Sequence, residues 1–415
     1  MLFRTIFNYE NIMKLHDLSL AARVTIGVLS MVVAGTVTLL FFESARLHDA
    51  YVGERRVHLG QDIETGTLQL NQAINTLRQD TLFLANTPPV SGIVRAALNR
   101  GYDPRYGNTH KVWEERLQQI FSAFSTAHPG YYKIRYIGVA DGGRELVRID
   151  NRGEKIEITP SGKLQTKGEC DFFKATLGLH GGQVFLSEFN LNQDLGVLEQ
   201  PYRPALRATV PVFTPSGEMF GMIAINMAVG SLLKSAVSDL PGVQTYITNN
   251  DGQYLLHPDS QRTFKFELGV KDNIATDFTF IRAMFDPKTA DYLPLQAVTT
   301  KSASPLFSAK RIRFDPNDPS RFLLLMYYLP GAVVAEQIGT IPANTLFYEF
   351  MAMLLAGGIA TLVLRRTFSP LKQIAAAADK IASGDPSAQL PQTDGGEIGS
   401  LTNALNAMLA RLSQR

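Results

Sequence analysis

Four polar side chains in two β-rich runs have the residue types and the spacing of a small-molecule binding site. Arg148 and Asp150 stand two residues apart in ELVRIDNR, and Arg207 and Thr209 do the same in LRATVPVF. Residues two apart in a strand share one face of the sheet. A guanidinium binds a carboxylate through two parallel hydrogen bonds, and an aspartate accepts from an ammonium or a hydroxyl group. The pattern predicts a small polar ligand, an anion included; a structural ion pair between Arg148 and Asp150 is the alternative.

Two aromatic residues complete the predicted ligand site. Tyr136 lies on the partner strand of the run that carries Arg148, and Phe173 lies between the two runs. Pockets of this kind form between a curved sheet and the helices that cover it. The predicted ligand-binding residues are therefore Tyr136, Arg148, Asp150, Phe173, Arg207 and Thr209.

Catalytic chemistry has no comparable pattern. The sequence contains no G-x-S-x-G elbow, no P-loop and no H-E-x-x-H. His180, His257 and Asp259 lie on predicted turns, far apart in the sequence. We expect no catalytic residue, no metal site and no cofactor. The rival classes are a membrane-tethered periplasmic enzyme, which would need a nucleophile and a base in reach of each other, and a structural adaptor that scaffolds a complex.

The composition indicates a soluble body attached to a few membrane-spanning helices. The chain has 415 residues, a net charge of +2 and 45% hydrophobic residues, and its mean hydropathy is −0.01. These values are high for a wholly soluble protein and low for a transporter with many spans. The near-neutral charge argues against nucleic acid as a partner, and the basic run 310–314 is expected on a solvated strand face. A single cysteine, Cys170, excludes an internal disulfide.

Two apolar segments are long enough to cross a bilayer, at residues 24–42 and 345–364. A signal peptide is the rival interpretation of the first. Basic residues precede the first segment and follow the second: Arg4, Lys14, Arg23, Arg365, Arg366 and Lys372. Positively charged flanks stay in the cytoplasm. We therefore expect a cytoplasmic tail (1–23), a periplasmic body (43–340) and a cytoplasmic C-terminus in a bacterial inner membrane.

The body between the spans has helical patterns followed by strand patterns. Helical periodicity runs through 64–87, where Leu68, Leu77 and Leu84 lie on one stripe, and again through 111–127. A hairpin is predicted around Asp141-Gly142-Gly143. A weaker copy of the pattern has a hairpin that turns at residues 249–252. The fold class is therefore α+β: two tandem PAS-like modules, about 80–235 and 241–335, on a long N-terminal helix.

These segments resemble a known sensor family. The stretches IRYIGVADGGRELVRID, SEFNLNQDLGVLEQPYRPALRATVPVF and GQYLLHPD are similar to the double Cache (tandem PAS-like) regions of bacterial receptors. The variant they most resemble occurs on sensor histidine kinases and diguanylate cyclases. The likeness covers about residues 45–340 and implies a membrane-distal module, a membrane-proximal module and a small-molecule ligand.

The last 51 residues, 365–415, resemble a HAMP signal-relay domain. Two apolar seams repeat at three- and four-residue spacing, as in coiled coils: Leu371, Ile374, Ala378 and Ile381, then Ile398, Leu401, Leu405, Met408 and Leu412. Two seams this short need partners, so two chains are expected to form a parallel four-helix bundle. The resemblance implies that Pro370 starts the first helix, that Gly384 opens the connector, and that Glu397 and Ile398 start the second helix.

The resemblance implies a homodimeric transmembrane receptor. An extracellular ligand would bind the double Cache domain, and HAMP would pass the signal to a cytoplasmic output outside this chain. Histidine kinase (two-component), diguanylate cyclase (cyclic-di-GMP) and phosphatase outputs fit this arrangement. The front end of a methyl-accepting chemotaxis receptor is an alternative.

Overall fold

The computed structural model describes residues 20–153, 155–194, 196–299, 304–339, 343–383, 390 and 396–412. They form two compact units. One unit is Val52–Gln337. The other combines the described residues before Val52 with those after Gln337.

Helices combine with antiparallel sheets, which confirms the predicted α+β fold class. The helices are α1 (Leu20–Ala85), α2 (Pro88–Leu98), α3 (His110–Ala127), α4 (Ala140–Gly143), α5 (Asp171–Leu177), α6 (Gly230–Ser235), α7 (Ile274–Asp277), α8 (Gly331–Gly339), α9 (Ala343–Ala382) and α10 (Gly396–Leu412). The strands are β1 (Tyr102–Asp103), β2 (Asn108–Thr109), β3 (Tyr131–Gly138), β4 (Glu145–Asn151), β5 (Ile156–Ile158), β6 (Phe185–Leu186), β7 (Asn190–Leu191), β8 (Gln193–Asp194), β9 (Val197–Leu198), β10 (Pro204–Phe213), β11 (Met219–Ala228), β12 (Gln244–Thr248), β13 (Tyr254–Leu256), β14 (Tyr292–Ala297), β15 (Leu306–Arg313) and β16 (Phe322–Leu329).

The first module is built on an antiparallel sheet of order β5-β4-β3-β11-β10-β6, with β7 also paired to β10. The predicted hairpin is confirmed, because β3 and β4 pair across the turn at α4. Asp141 and Gly142 have φ of 54° and 68° in that turn, a conformation that aspartate and glycine tolerate better than most residues. The apolar residues of one sheet face pack against α5, with Ile137, Met222 and Ala224 buried under Phe172 and Phe173.

The second module is built on a sheet of order β13-β12-β16-β15-β14. The second predicted hairpin is confirmed by the pairing of β12 with β13. The basic run 310–314 lies on and just after β15, and the prediction of a solvated strand face is wrong for Arg311, whereas Arg313 is exposed. Arg311 is only 4% exposed and donates to the carbonyl oxygens of Asp286 and Thr289, because the loop before β14 covers it.

The part of α1 within Val52–Gln337 packs against both modules. Its buried stripe is Leu59, Ile63, Leu70, Ile74, Leu77, Thr81 and Leu84. Leu68, predicted on this stripe, is instead 67% exposed. The buried stripe runs through Leu70, which lies on a different side of the helix from Leu68. Asp62 accepts a hydrogen bond from Ser238 Oγ at 2.5 Å, and Asp80 accepts one from the Tyr131 hydroxyl at 2.5 Å. One helix therefore contacts the modules in succession.

A buried carboxylate fixes the start of the first module. Asp103 is fully buried. Its carboxylate accepts hydrogen bonds from Arg95 Nε, from Arg95 Nη2 and from the Trp113 indole N–H, each at 3.0 Å. The hydrogen bonds from Arg95 hold the pKa of Asp103 below its ordinary value of 3.8. Arg95 and Trp113 lie on α2 and α3, so Asp103 joins these two helices.

This cluster predicts a pH-dependent contribution to stability. Because the folded-state pKa of Asp103 is lowered, its contribution is present above pH 4 and is lost as the pH falls through the folded pKa. We expect Asp103→Asn to destabilise the first module by about 1.5–3 kcal/mol at pH 7. Thermal unfolding followed by fluorescence of Trp113, the single tryptophan, should show a smaller difference between the two proteins at pH 3. A difference that stays constant from pH 7 to pH 3 would contradict this role.

Two helices are long and apolar enough to cross a membrane. The candidate segments are Ala22–Leu39 on α1 and Phe347–Ala382 on α9. The first candidate span and the buried stripe at residues 59–84 belong to the same helix, α1.

The α9 helix corrects one predicted boundary. It runs from Ala343 to Ala382 with Pro370 in its interior, so the prediction that Pro370 starts a helix is wrong. A proline inside a helix removes one hydrogen bond and crowds the preceding turn. The helical turns on both sides already exist here, so no new nucleation is needed at this residue. The second helix starts at Gly396, close to the predicted Glu397 and Ile398. Gly384 lies outside the described residues.

Candidate functional site: a polar cavity on the sheet of the first module

Arg148 and Asp150 form the ion pair that was the alternative to a ligand site. Arg148 Nε lies 2.6 Å from Asp150 Oδ2, and its Nη2 lies 3.1 Å from Oδ1. Asp150 also faces Lys133 Nζ at 3.6 Å. Its pKa is lowered, because hydrogen bonding to Arg148 and the charges of Lys133 and Arg148 outweigh the opposing effect of burial. Neither Arg148 nor Asp150 lines the cavity described below.

Three further predicted ligand residues are placed away from that cavity. Tyr136 pairs with Val147 and Ile223, so it lies on the opposite sheet face from its neighbour Arg135. Phe173 is buried in the apolar cluster under α5. Thr209 is fully buried, and its hydroxyl is hydrogen-bonded to the Thr176 hydroxyl. The structure brings none of the three to the cavity, and ligand contact by them stays a prediction.

Arg207 alone among the six predicted residues lines a cavity of about 850 Å³. The cavity lies on the α5 face of the sheet, where Lys133 and Arg135 on β3, Asn226 on β11 and Arg207 on β10 follow one another across paired strands. Other lining residues come from the segments around α5 and β6–β8, among them Lys167, Glu169, Cys170, Asp171, Phe172, Ser187, Glu188 and Asn190. The second module contributes Asp315, Asn317, Asp318 and Arg321.

Two guanidinium groups share one amide and one aromatic ring at the base of this cavity. Asn226 Oδ1 accepts from Arg135 Nη2 at 2.9 Å and from Arg207 Nε at 3.1 Å. Both guanidinium carbons lie over the Phe172 ring, at 5.2 Å for Arg135 and 4.7 Å for Arg207. An aromatic face attracts cations, so Phe172 and Asn226 hold two like charges close together.

The two arginines differ in how their charge is neutralised. Arg135 lies 3.6 Å from the carboxylate of Glu145. Arg207 has no ion-pair partner among the residues that the structure describes. Burial, and then repulsion by Arg135, lower the pKa of Arg207 to about 10. Arg207 therefore stays cationic at neutral pH, without an anionic side chain paired to it in the described part of the chain.

Two buried polar atoms at the cavity also lack a hydrogen-bond partner in the described part of the chain. They are Arg135 Nε, a donor, and Asn190 Oδ1, an acceptor. Arg135 is only 3% exposed, and an unsatisfied buried donor costs about 1–3 kcal/mol. A small molecule with an anionic oxygen and a hydrogen-bond donor would satisfy both atoms and would neutralise Arg207.

Sequence reasoning missed most of this site. Lys133 and Arg135 stand two apart in YYKIRYIG, the same period-two signal that identified Arg207. That signal could have found them. Asn226 and Phe172 gave no signal, because a lone amide in a strand or a phenylalanine in a helix most often serves packing.

The second candidate feature is the seam on α9 and α10. Ile374 is buried, whereas Leu401 and Met408 are 46% and 62% exposed. The α10 face turned to its own chain instead carries Gly399 and the 2%-exposed Thr402. The apolar stripe of α10 is therefore left largely uncovered in a single chain. The side chains of Glu397 and Leu412 lie outside the described residues.

Comparison with protein-family models assigns two parts of the chain to a class. Residues 107–277 match the family model described as bacterial histidine kinase, sensor domain, and residues 362–414 match the HAMP domain model. The chain therefore carries a bacterial sensor domain and a HAMP domain, as the resemblance implied. A comparison with curated protein sequences finds no match.

Two solved structures with TM-scores above 0.5 share the fold of this chain, and a third is similar at a lower score. A domain assigned to a sensory box/GGDEF family protein of Vibrio parahaemolyticus is 18% identical, with a TM-score of 0.55, over 68% of this chain and 99% of that one. The extracellular domain of a protein assigned as histidine kinase vpHK1S-Z8 is 18% identical, with a TM-score of 0.55, over 73% and 99%. The sensory domain of the Campylobacter jejuni chemoreceptor Tlp3 is 11% identical, with a TM-score of 0.45, over 71% and 98%.

These findings agree on the type of molecule. A sensor domain between two candidate membrane spans, followed by HAMP, makes the chain a transmembrane receptor that binds a ligand and relays a signal. Neither matched model describes a catalytic domain.

Proposed function

We propose that this receptor senses a small anion at Arg135 and Arg207 in the polar cavity of its first module. The observation that carries the proposal is Arg207, a desolvated cation without an ion-pair partner among the described residues. It lies beside Arg135, whose Nε has no hydrogen-bond partner in the same part of the chain. The ligand is a small molecule with a carboxylate-like or phosphate-like group and at least one donor, which Asn190 Oδ1 would accept. Binding neutralises the repulsion between Arg135 and Arg207.

The sensor faces the periplasm of a bacterial inner membrane, and both termini are cytoplasmic. The basic flanks Arg23, Arg365 and Arg366 support this orientation. The receptor acts as a homodimer, which the uncovered Leu401 and Met408 on α10 support. Its output is a histidine kinase, in the same protein or on a partner; the description of the matched sensor family supports this choice over a diguanylate cyclase or a phosphatase.

The lone cysteine provides a test that needs no known ligand. Cys170 is half-buried, lines the cavity and lies close enough to Arg207 to affect its pKa. The full chain in lipid nanodiscs is alkylated with anionic iodoacetate or with neutral iodoacetamide. The ratio of the two rates is compared with the ratio for the urea-unfolded chain. Cations concentrate anions near them, and salt screens this effect.

We expect the folded protein to favour iodoacetate several-fold more than the unfolded chain, and the preference to shrink at high salt. Arg207→Ala should lower it. Arg203→Ala is the matched control, because Arg203 lies just before β10, stacks on Tyr132 at 4.8 Å and does not line the cavity. Equal ratios in the folded and unfolded chain would contradict an anion-selective cavity.

A further inference from the structure

One wall of the cavity is an edge segment that the second module holds. β6 and β7 both pair with β10, the strand that carries Arg207. Between β6 and β7 the chain loops out at residues 187–189, and Ser187, Glu188 and Asn190 line the cavity. We call residues 186–189 the wall loop. The paired residues of β6 end at Leu186, so carbonyl groups of the wall loop need hydrogen-bond donors from outside the sheet.

Arg321 of the second module supplies those hydrogen bonds. It immediately precedes β16, and its side chain is 12% exposed. Nη1 donates to the Leu186 carbonyl at 2.8 Å, Nη2 donates to the Ser187 carbonyl at 2.7 Å, and Nε donates to Glu188 Oε1 at 2.9 Å. Asp315 pairs with the same guanidinium and fixes its orientation. Every nitrogen of the Arg321 guanidinium is thereby engaged.

Hydrogen bonds also join the wall loop to the backbone of Arg207. The Ser187 amide donates to the Arg207 carbonyl at 2.8 Å, and the Arg207 amide donates to Ser187 Oγ at 3.0 Å. Ser187 is therefore bonded to Arg321 on one side and to the backbone of Arg207 on the other. A second contact strengthens the junction, since Phe189 packs edge-on against Phe314 at 5.4 Å.

We propose that Arg321 is a positioning residue for the ligand site of the first module, so that anion binding and the junction between the modules are coupled. The proposal rests on the proposed function of the cavity. A guanidinium is required because its planar fork serves three acceptors at fixed angles, which an ammonium cannot do. Coupling between two contacts is reciprocal. If the contact of Arg321 with the wall loop favours ligand binding, then ligand binding also stabilises that contact with the second module, which lies nearer to α9 in the chain.

The first readout is access to Cys170. In the full chain in nanodiscs, Arg321→Ala should raise the rate of Cys170 alkylation by neutral iodoacetamide about tenfold, because the wall loop opens more often. Arg321→Lys should give an intermediate rate. Arg313→Ala is the matched control: Arg313 is also in the second module and pairs with Asp291 at 2.9 Å, but it does not line the cavity. Its rate should equal that of the wild type.

The second readout locates the change. Hydrogen exchange in Arg321→Ala should speed up at the amides of Ser187 and Arg207, whereas Trp113 fluorescence should stay native and show that the first module is folded. Unchanged alkylation and exchange in Arg321→Ala would overturn the coupling even if the wild type prefers iodoacetate. A wild type without that preference, combined with a faster Arg321→Ala, would instead overturn the anion-sensing function and leave the positioning role standing.

Discussion

Arg207→Ala is expected to weaken anion binding by about 10- to 150-fold, since a hydrogen bond to a charged group contributes roughly 1.5–3 kcal/mol. The measurement is calorimetric titration of the full chain in nanodiscs with succinate, malate, citrate and inorganic phosphate. The variant should remain folded and at least as stable as the wild type without ligand. Arg207 has no ion-pair partner in the described chain to lose, and its removal relieves the repulsion on Arg135.

The stability of Arg207→Ala without ligand distinguishes a ligand-binding role of Arg207 from a role in stabilising the fold. An arginine that served the fold would lower both affinity and stability when replaced. Arg203→Ala removes the same charge near the same strand without touching the cavity, so it should leave the affinity unchanged. Equal affinities of the wild type and Arg207→Ala for the anion that binds best would remove Arg207 from the site.

Leu405→Asp is expected to abolish the proposed dimer. Leu405 lies on α10 within the stripe formed by the exposed Leu401 and Met408. In a four-helix bundle of two chains this stripe is the core, where an unpaired carboxylate costs several kcal/mol per chain. A two-fold dimer would bear that cost twice. Light scattering of the full chain in detergent should show a monomer, while Trp113 fluorescence remains native.

Asn403→Asp is the matched control for this charge. Asn403 is exposed and stands two residues from Leu405, which is about 200° around a helix of 3.6 residues per turn. It should face solvent in the bundle, and its variant should remain dimeric. A dimer that survives Leu405→Asp, or one that is lost equally in both variants, would show that the α10 stripe is not the contact between chains.

The sequence predicted the sheets better than it predicted the site, for physical reasons. Hairpins such as β3–β4 depend on local signals, an alternating pattern and a turn such as Asp141-Gly142-Gly143, so they could be located. The cavity depends on how distant strands pair. Arg135 and Arg207 become neighbours only because Asn226 on β11 lies between β3 and β10, an order that local patterns do not encode.

The same limit explains the misplaced residues. Arg148 and Asp150 share a strand face as predicted, but they saturate each other, so the spacing that suggested a ligand site also made the ion pair. Tyr136 fell on the opposite face, because a residue adjacent in sequence to Arg135 must point away from it. Arg321 was invisible to the sequence argument, since its partners lie in another module.

The relay claim is tested most directly on α10, in the HAMP segment. In a Cys170→Ser background, Met408→Cys places a thiol on the α10 stripe, and the rate of disulfide crosslinking between chains is measured in nanodiscs. Binding can shift a population between helix arrangements only if it differs in affinity for them. We predict that saturation with the best-binding anion of the panel changes this rate, and that the change disappears in Arg207→Ala. The same crosslinking rate with and without the anion would contradict a receptor that relays occupancy of the cavity to its HAMP domain.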